Sequence, residues 1–474
     1  MLRNIALQAS KAARFVPRST GVLHSARAFS ASTAVLNEHA SLPSLHTFTE
    51  EEQMLRDAVR KFATDVVGPK VREMDENEMM DPSVISGLFE QGLMGIETSA
   101  DHNGAESSFT SAIIAIEELA RIDPSVSVLC DVHNTLVNTV IRKYGTKEQQ
   151  DKWLPQLAES KLGSFCLSES ASGSDAFALQ TRARKEGDSW ILNGSKMWIT
   201  NSWEAEVFLI FANVDPSKGY KGITCFVATK DMGIQIAKKE QKLGIRASST
   251  CTLNFDDLKI PAENVIGGEG KGYKMAIEIL NEGRIGIAAQ MLGLAQGAFD
   301  KAVPYTYQRE QFGQPIGTFQ GMAFQIAQAA IDLETARLLT YNAARLKEEG
   351  KAFTREAAMA KYHASVVAQR VSGQAIEWAG GVGFTRETGI EKFWRDSKIV
   401  SRHFAVPYCV GLLMIEYRAP STKAHLIFNC RLSRSSSRRS ILKAILRFIV
   451  THFIVLKNEF ALGGDNAKTN ASLD

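Results

Sequence analysis

The residues best suited to chemistry lie between positions 163 and 202. Hydroxyl and glycine residues cluster at 168–174, directly after a short apolar run. Such residues let backbone NH groups and hydroxyls approach a polar ligand closely. Trp198 and Thr200 add a flat stacking face and a hydroxyl. These residues predict a binding site for a flat, polar ligand, although a serine-rich surface loop beside a hairpin would have the same composition.

The residues around this stretch alternate between apolar and polar, which predicts β-strands. Asn193-Gly194 is typical of a type I′ hairpin turn. Upstream, Thr49 and the acidic residues after it predict a helix N-terminus. The apolar residues Met54, Ala58, Phe62 and Val66 predict the buried stripe of that helix. The segments after residue 273 are long and apolar nearly all round, which favours a helical bundle.

Helices, then strands, then helices predict an α+β fold with three domains. They are an N-terminal α-helical domain (48–160), a middle β-barrel domain (161–272) and a C-terminal α-helical bundle (273–399).

Composition excludes several classes of protein. Of 474 residues, 45% are hydrophobic and 23% are charged, as in globular proteins. The six cysteines have no paired spacing, so neither a disulfide framework nor a zinc site is predicted. Acidic residues outnumber basic ones within 38–399, which argues against nucleic acid as a partner. No apolar run is long enough to predict a transmembrane segment.

Both ends of the chain differ from this body. Residues 1–37 contain five basic residues, no acidic residue and many alanines and serines, which predicts a mitochondrial transit peptide cleaved near Phe29 and a matrix location. Residues 400–474 form a basic tail with a serine-rich run. We interpret this tail as a translated intron, a frameshift or an alternative 3′ exon, with an interfacial amphipathic helix as the other interpretation.

Five segments, in order, resemble the acyl-CoA dehydrogenases: FCLSE, GSD, NGSKMWIT, GYKG and KLGIRASST. The resemblance runs from about Phe48 to Ile399 and is greatest to members acting on short, branched acyl-CoAs. It implies FAD as cofactor, bound without a Rossmann glycine fingerprint. It also implies an acyl-CoA substrate, electron-transferring flavoprotein as electron acceptor, a homotetramer, and a role in isoleucine and fatty-acid breakdown.

The same resemblance assigns the cofactor contacts. Those near the flavin ring are Phe165, Cys166, Leu167, Ser168, Glu169, Gly173, Ser174, Trp198, Ile199 and Thr200. Those that reach the FAD of a neighbouring subunit are Arg309 and Gln320, and arginine suits a pyrophosphate because it binds in a bidentate manner. Those near the adenine half are Glu377, Trp378, Ala379, Gly380 and Gly381, where paired glycines could equally form a helix C-cap.

The implied substrate contacts are Ser174, Tyr220, Tyr273, Asn281, Glu282, Gly283 and Arg284. No catalytic base is assigned. The family places its base carboxylate shortly after the RDSKI segment, where this chain has Phe404, or just before the arginine of NEGR, where it has Gly283. Glu282, about 100° away around a helix, and Glu416 are the candidate substitutes.

The sequence therefore supports two principal hypotheses. One is FAD-dependent α,β-dehydrogenation of 2-methylbutanoyl-CoA or a similar substrate. The alternative is a catalytically impaired splice or frameshift form that binds FAD and CoA without turnover. An oxidase that uses oxygen directly is a third interpretation.

Overall fold

The N-terminal helical region begins with a capping box at Thr49. The computed structural model describes residues 47–402, and their side chains as far as residue 399. The Thr49 hydroxyl accepts the Glu52 NH (3.2 Å), and the Glu52 carboxylate accepts the Thr49 NH (3.0 Å), as predicted for this helix start. Seven helices follow in order: α1 Glu50–Phe62, α2 Val71–Asn77, α3 Pro82–Glu90, α4 Phe109–Ile122, α5 Pro124–Asp131, α6 Thr139–Tyr144 and α7 Lys147–Glu159.

The predicted buried stripe of α1 is confirmed at Phe62 and wrong at Met54, Ala58 and Val66. Met54 is 66% exposed and Val66 is also exposed, whereas Val59 and Phe62 are buried. Counting every fourth residue from Met54 follows a line that drifts around the helix, because 3.6 residues complete a turn. The helix also widens into a π-helical turn at Ala63–Val67, which changes the spacing of its buried residues further.

One sheet contains eight strands: β1 Gly163–Cys166, β2 Arg182–Glu186, β3 Ser189–Thr200, β4 Val207–Asn213, β5 Ile223–Thr229, β6 Gln235–Lys239, β7 Thr250–Pro261 and β8 Val265–Ile266. The main path runs β6-β7-β3-β2-β4-β5-β8, and β1 pairs in parallel with β4. Among residues 47–402, the two ends of this path, β6 and β8, do not pair with each other, and buried residues of β2, β3, β4, β5 and β7 pack together in one cluster.

The predicted hairpin turn at Asn193-Gly194 is wrong. Strand β3 continues through both residues, and its pairing with β7 shifts register between Leu192 and Gly194. The Asn193 amide exchanges two 2.9 Å hydrogen bonds with Asp257 of β7. A side chain on Gly194 would lie 2.6 Å from Thr181 Oγ1. The Asn-Gly pair therefore lies opposite a bulge in β7, and the close approach of Thr181 selects glycine at position 194.

The remaining helices form a bundle around α8. They are α8 Gly272–Gln308, α9 Gln320–Glu348, α10 Thr354–Ala379, α11 Gly381–Phe384 and α12 Ile390–Arg402, and the short strands β9 Glu310–Gln311 and β10 Gln314–Pro315 connect α8 to α9. Glycines let α8 approach α4 closely. A Cβ on Gly293 would lie 2.1 Å from the Glu117 carbonyl oxygen, and one on Gly297 would lie 2.2 Å from that of Arg121.

Helix α12 joins the three regions through buried charges. Lys392 Nζ donates to Asp123 (2.9 Å), at the start of α5, and to Asp396 (2.7 Å). The other Asp396 oxygen accepts the NH of Ile245 at 2.6 Å. Ile245 has φ +50°, a rare conformation for a β-branched residue, and its side chain is buried. Asp396 therefore holds a strained loop of the sheet region against the bundle.

Several predictions concern residues outside the described part of the chain. These are the transit peptide (1–37), Phe404, Glu416 and the basic tail. Among residues 47–402, no helix is both long and apolar enough to cross a bilayer, and no three potential metal-ligating side chains converge.

A buried histidine connects the N-terminal helices to the start of the sheet. Gly163 NH donates to His133 Nδ1 (3.0 Å), so Nε2 carries the proton and donates to the Leu157 carbonyl (2.8 Å). The ring is fully buried, and burial lowers the pKa of His133 from 6.5 to about 4. The neutral ring fits this position, whereas its protonated form does not.

This histidine predicts a pH-dependent stability. Between pH 6.5 and 4 the unfolded chain binds a proton at His133 that the folded chain does not. The stability that the neutral His133 ring contributes is therefore present above pH 6.5 and is lost on acidification. The loss is about 3 kcal/mol. We expect His133→Gln to be less stable at pH 8 but to lose less stability between pH 6.5 and 4. Thermal unfolding across this range tests this, and an equally steep acid loss in the variant would contradict it.

Candidate cofactor and substrate site

A buried ion pair anchors the loop that follows β1. Lys196 on β3 is fully buried, and its Nζ donates to the Glu169 carboxylate (2.7 Å) and to the Leu167 carbonyl (3.0 Å). Burial lowers the pKa of Lys196, and the charge of Glu169 opposes this shift. Burial raises the pKa of Glu169, but the Lys196 charge together with the hydrogen bonds from Lys196, Gln180 and Thr181 outweighs that effect, so the net shift is downward. Each charge therefore favours the charged form of the other group, and the NH groups of Gln180 and Thr181 also stabilise the Glu169 carboxylate.

Trp198 lies on the same strand in a strained backbone conformation. The pairing of β3 with β7 shifts register between Lys196 and Ile199, and Trp198 within this bulge has φ +63°. A large residue in this region costs about 1–3 kcal/mol. The bulge leaves the indole 54% exposed instead of packed in a core. The preceding Met197 NH donates to the Ser168 carbonyl (2.9 Å), so Trp198 lies next to the predicted hydroxyl loop.

The predicted cofactor residues of β1 and β3 face different ways. Phe165 and Leu167 belong to the core between the sheet and the helices, where Phe165 packs 4.9 Å from the ring of Phe211. Cys166 and Ile199 belong to the core on the opposite face of the sheet. Only the backbone of these last two residues is therefore available to a ligand.

The rest of the loop is open. Ser168 is partly exposed, Gly173 and Ser174 are exposed, and a Cβ on Gly173 would meet no atom within 4 Å. Thr200 is partly exposed, and its carbonyl accepts the Ser164 hydroxyl at 2.6 Å. The exposed indole, the open glycine and these hydroxyls fit a flat ring with polar edges, so the residues present are compatible with the isoalloxazine of FAD.

Three aromatic side chains from separate segments meet at the start of α8. The rings of Tyr220 and Tyr273 lie 4.3 Å apart, and Phe177 packs edge-on against Tyr273 at 4.4 Å. Tyr220 is 38% exposed. The structure thus brings together two predicted substrate residues and adds Phe177, which belongs to the loop that carries Ser174.

Further along α8, glycines let the NEGR segment approach the helix that contains Asp131. A Cβ on Gly283 would lie 3.0 Å from Leu136 Cδ2, and one on Gly286 would lie 2.1 Å from Asp131 Oδ1. Gly283 therefore gives space to Leu136. Burial raises the pKa of Asp131 to about 7. Arg284 donates to Asn281 Oδ1 at 2.7 Å, within the same helix.

Glu282, the candidate substitute base, belongs to an ion-pair network. It is 3% exposed and pairs with Lys143 of α6 and, at 3.5 Å, with Lys347 of α9. These contacts connect α8 with helices on two sides. They give Glu282 a structural role, while its Oε2 atom accepts no hydrogen bond from the described residues and so stays available as a proton acceptor.

Arg309 and Gln320 lie far along the chain from the predicted substrate residues of the NEGR segment. Arg309 is the C-cap of α8 and Gln320 begins α9, and both are exposed. At 1.5 Å per residue, the 25 residues from Arg284 to Arg309 extend roughly 37 Å along α8. Within one chain, Arg309 is therefore separated from Arg284 by most of the length of α8.

The segment from Glu377 to Gly381 lies beside the start of α9. The Trp378 side chain is buried, and its Nε1 donates to Gln325 of α9 at 3.2 Å. Gly380 has φ +61° and ψ −135°, which only glycine adopts readily, and a Cβ on Gly380 or Gly381 would meet no atom within 4 Å. Trp378 is thus a core residue, and Gly380 is the C-cap of α10.

Sequence reasoning missed Lys196 and Phe177. Lys196 lies within the NGSKMWIT motif, but the motif alone assigns no role to it. Its signal was its position, since it lies four residues after the buried Leu192 and hence on the same face of the strand. Phe177 gave no sequence signal, because its partner Tyr273 is almost a hundred residues away.

Comparison with known proteins is consistent with this arrangement. Family models for the N-terminal, middle and C-terminal domains of acyl-CoA dehydrogenase match residues 49–161, 164–258 and 270–402. The short/branched chain specific acyl-CoA dehydrogenase of Rattus norvegicus mitochondria is 56% identical over 367 residues, 77% of this chain and 85% of the relative.

Two solved structures also share the fold. One, described as an electron transferring flavoprotein of Acidaminococcus fermentans, is 39% identical with a TM-score of 0.77, covering 79% of this chain and all of that one. A glutaryl-CoA dehydrogenase from Mycobacterium smegmatis in complex with FADH2 is 26% identical with a TM-score of 0.74, covering 80% of this chain and 97% of that one. The predicted α+β fold class is confirmed, and the chain belongs to the acyl-CoA dehydrogenase family, whose enzymes use FAD.

Proposed function

We propose that this protein is an FAD-dependent dehydrogenase of short, branched acyl-CoAs, such as 2-methylbutanoyl-CoA, in isoleucine and fatty-acid breakdown. The observation that carries the proposal is the strained, exposed Trp198 beside the anchored hydroxyl loop. A backbone strained in this way is typical of sites where a ligand repays the cost. The substrate class is supported by the name of the rat relative.

Dehydrogenation removes a proton from the α-carbon and a hydride from the β-carbon, which leaves an α,β-double bond. FAD, when bound, supplies the acceptor for the hydride. Ser168 and the nearby backbone would hold the polar edge of its ring, and Trp198 would cover one face. The Phe177, Tyr220 and Tyr273 cluster would line the acyl-CoA entrance at the start of α8. Packing of these rings would exclude water from the thioester.

The proton acceptor is the unassigned component. The position expected for the base, Phe404, lies outside the described residues, and Glu282 is engaged with Lys143 and Lys347. This engagement favours a second candidate, namely a chain that binds FAD and acyl-CoA without turnover. Loss of a placed base lowers a rate by about 10²–10⁴-fold, so the two candidates differ measurably.

The proposal includes a mitochondrial matrix location, electron-transferring flavoprotein as the acceptor and a homotetramer. The mitochondrial relative supports the location, and the flavoprotein description of the Acidaminococcus structure supports the electron acceptor. The exposed position of Arg309, roughly 37 Å along α8 from Arg284, supports assembly, because Arg309 could there serve the FAD of a neighbouring chain.

The first test is flavin reduction without oxygen. The full chain, loaded with FAD, is mixed with 2-methylbutanoyl-CoA. We expect the absorbance of oxidised flavin at about 450 nm to decrease as hydride is transferred. Dithionite is the control, because it reduces any accessible flavin. Bleaching by dithionite but not by acyl-CoA would contradict the dehydrogenase proposal and support binding without turnover.

The second test concerns Glu282. We expect Glu282→Gln to lower the free energy of unfolding by about 3 kcal/mol, because Lys143 and Lys347 lose a buried partner. Chemical denaturation measures this, with Glu278→Gln, one turn earlier on a more exposed position, as the matched control. If the variant keeps its stability while flavin reduction falls about 10²-fold or more, Glu282 is the base instead.

A further inference from the structure

The Glu169–Lys196 pair anchors both ends of the predicted flavin loop, residues 167–181. Lys196 holds the beginning of the loop through Leu167 and Glu169. The Glu169 carboxylate also accepts the NH groups of Gln180 (2.5 Å) and Thr181 (3.2 Å), where the loop ends. The open residues Gly173 and Ser174 lie between these two anchor points, so one carboxylate ties the two ends of the loop together.

The pair also fixes the loop relative to Trp198. Two consecutive residues of β3 bind three consecutive residues of the loop. Lys196 binds the Leu167 carbonyl and the Glu169 carboxylate. The Met197 NH donates to the carbonyl of Ser168, which lies between them. Trp198 follows directly. Ser168 and Trp198 are thereby held at a set separation by groups that do not themselves face the site.

Burial makes the charges of this pair consequential. Lys196 is 0% exposed and Glu169 is 4% exposed, so water does not screen either charge. Removing one partner leaves the other uncompensated, whereas removing both leaves a neutral site. An uncompensated negative charge at Glu169, one residue from Ser168, would oppose the negative charge that a flavin acquires on reduction.

We propose that Lys196 and Glu169 are positioning residues of the cofactor site, and that FAD affinity and the flavin reduction potential both depend on their paired charges. This inference rests on the proposed function, because it takes the loop and Trp198 as the flavin site. It adds a specific role for two residues that need not contact the flavin.

The test uses full-length Lys196→Met, Glu169→Gln and the double variant, with Lys259→Met as control. Lys259 is exposed on β7, opposite Ile191 of β3. FAD affinity is measured by fluorescence, and the reduction potential is measured against a reference dye. We expect Lys196→Met to bind FAD about tenfold more weakly or worse and to have a more negative potential. The double variant should recover a potential near that of the wild type, and Lys259→Met should match the wild type in both.

Each other outcome is decisive. Unchanged affinity and potential in Lys196→Met would overturn the inference, as would an equal fall in potential in Lys196→Met and the double variant, since the charge would then not be the cause. Circular dichroism shows whether Lys196→Met folds. If it does not, Glu169→Gln and the double variant are used instead, and both must bind FAD more weakly without a more negative reduction potential. A wild-type chain that binds no FAD overturns the proposed function itself.

Discussion

The site depends on a single buried charge pair. A lysine without solvent exposure is tolerable only beside an anion, and Glu169 supplies that anion while also accepting hydrogen bonds from two backbone NH groups. The pair therefore commits the loop to one path before any ligand arrives. Trp198 lies two residues after Lys196, within the bulge of the same strand. The cost of burying these charges supports a preorganised surface.

Much of the fold could be predicted because it has local causes. The capping box at Thr49 needs residues only three positions apart, and the buried helix α4 is visible in its own composition. Asn193-Gly194 misled for a physical reason. The pair suits a turn, but it suits a bulge equally, and the neighbours Thr181 and Asp257 that decide between them lie elsewhere in the sequence.

The site was predictable only in part for a related reason. Motifs predict Ser168, Trp198, Tyr220 and Tyr273 as site residues, and the structure places Ser168 beside the strand of Trp198 and Tyr220 against Tyr273. What sequence alone could not give was the direction of each side chain. Cys166 faces the opposite core, and Glu282 faces two lysines, because strand pairing and helix packing across long separations determine these orientations.

The glycine seam of α8 has a genetic consequence. Gly286, Gly293 and Gly297 each lie so close to a neighbouring helix that a first side-chain carbon would come within 2.1–2.2 Å of an oxygen atom. Every missense change in a glycine codon adds at least that carbon. Harmful inherited variants should therefore concentrate at these three codons, although none of them encodes a residue that contacts a ligand in the proposed reaction.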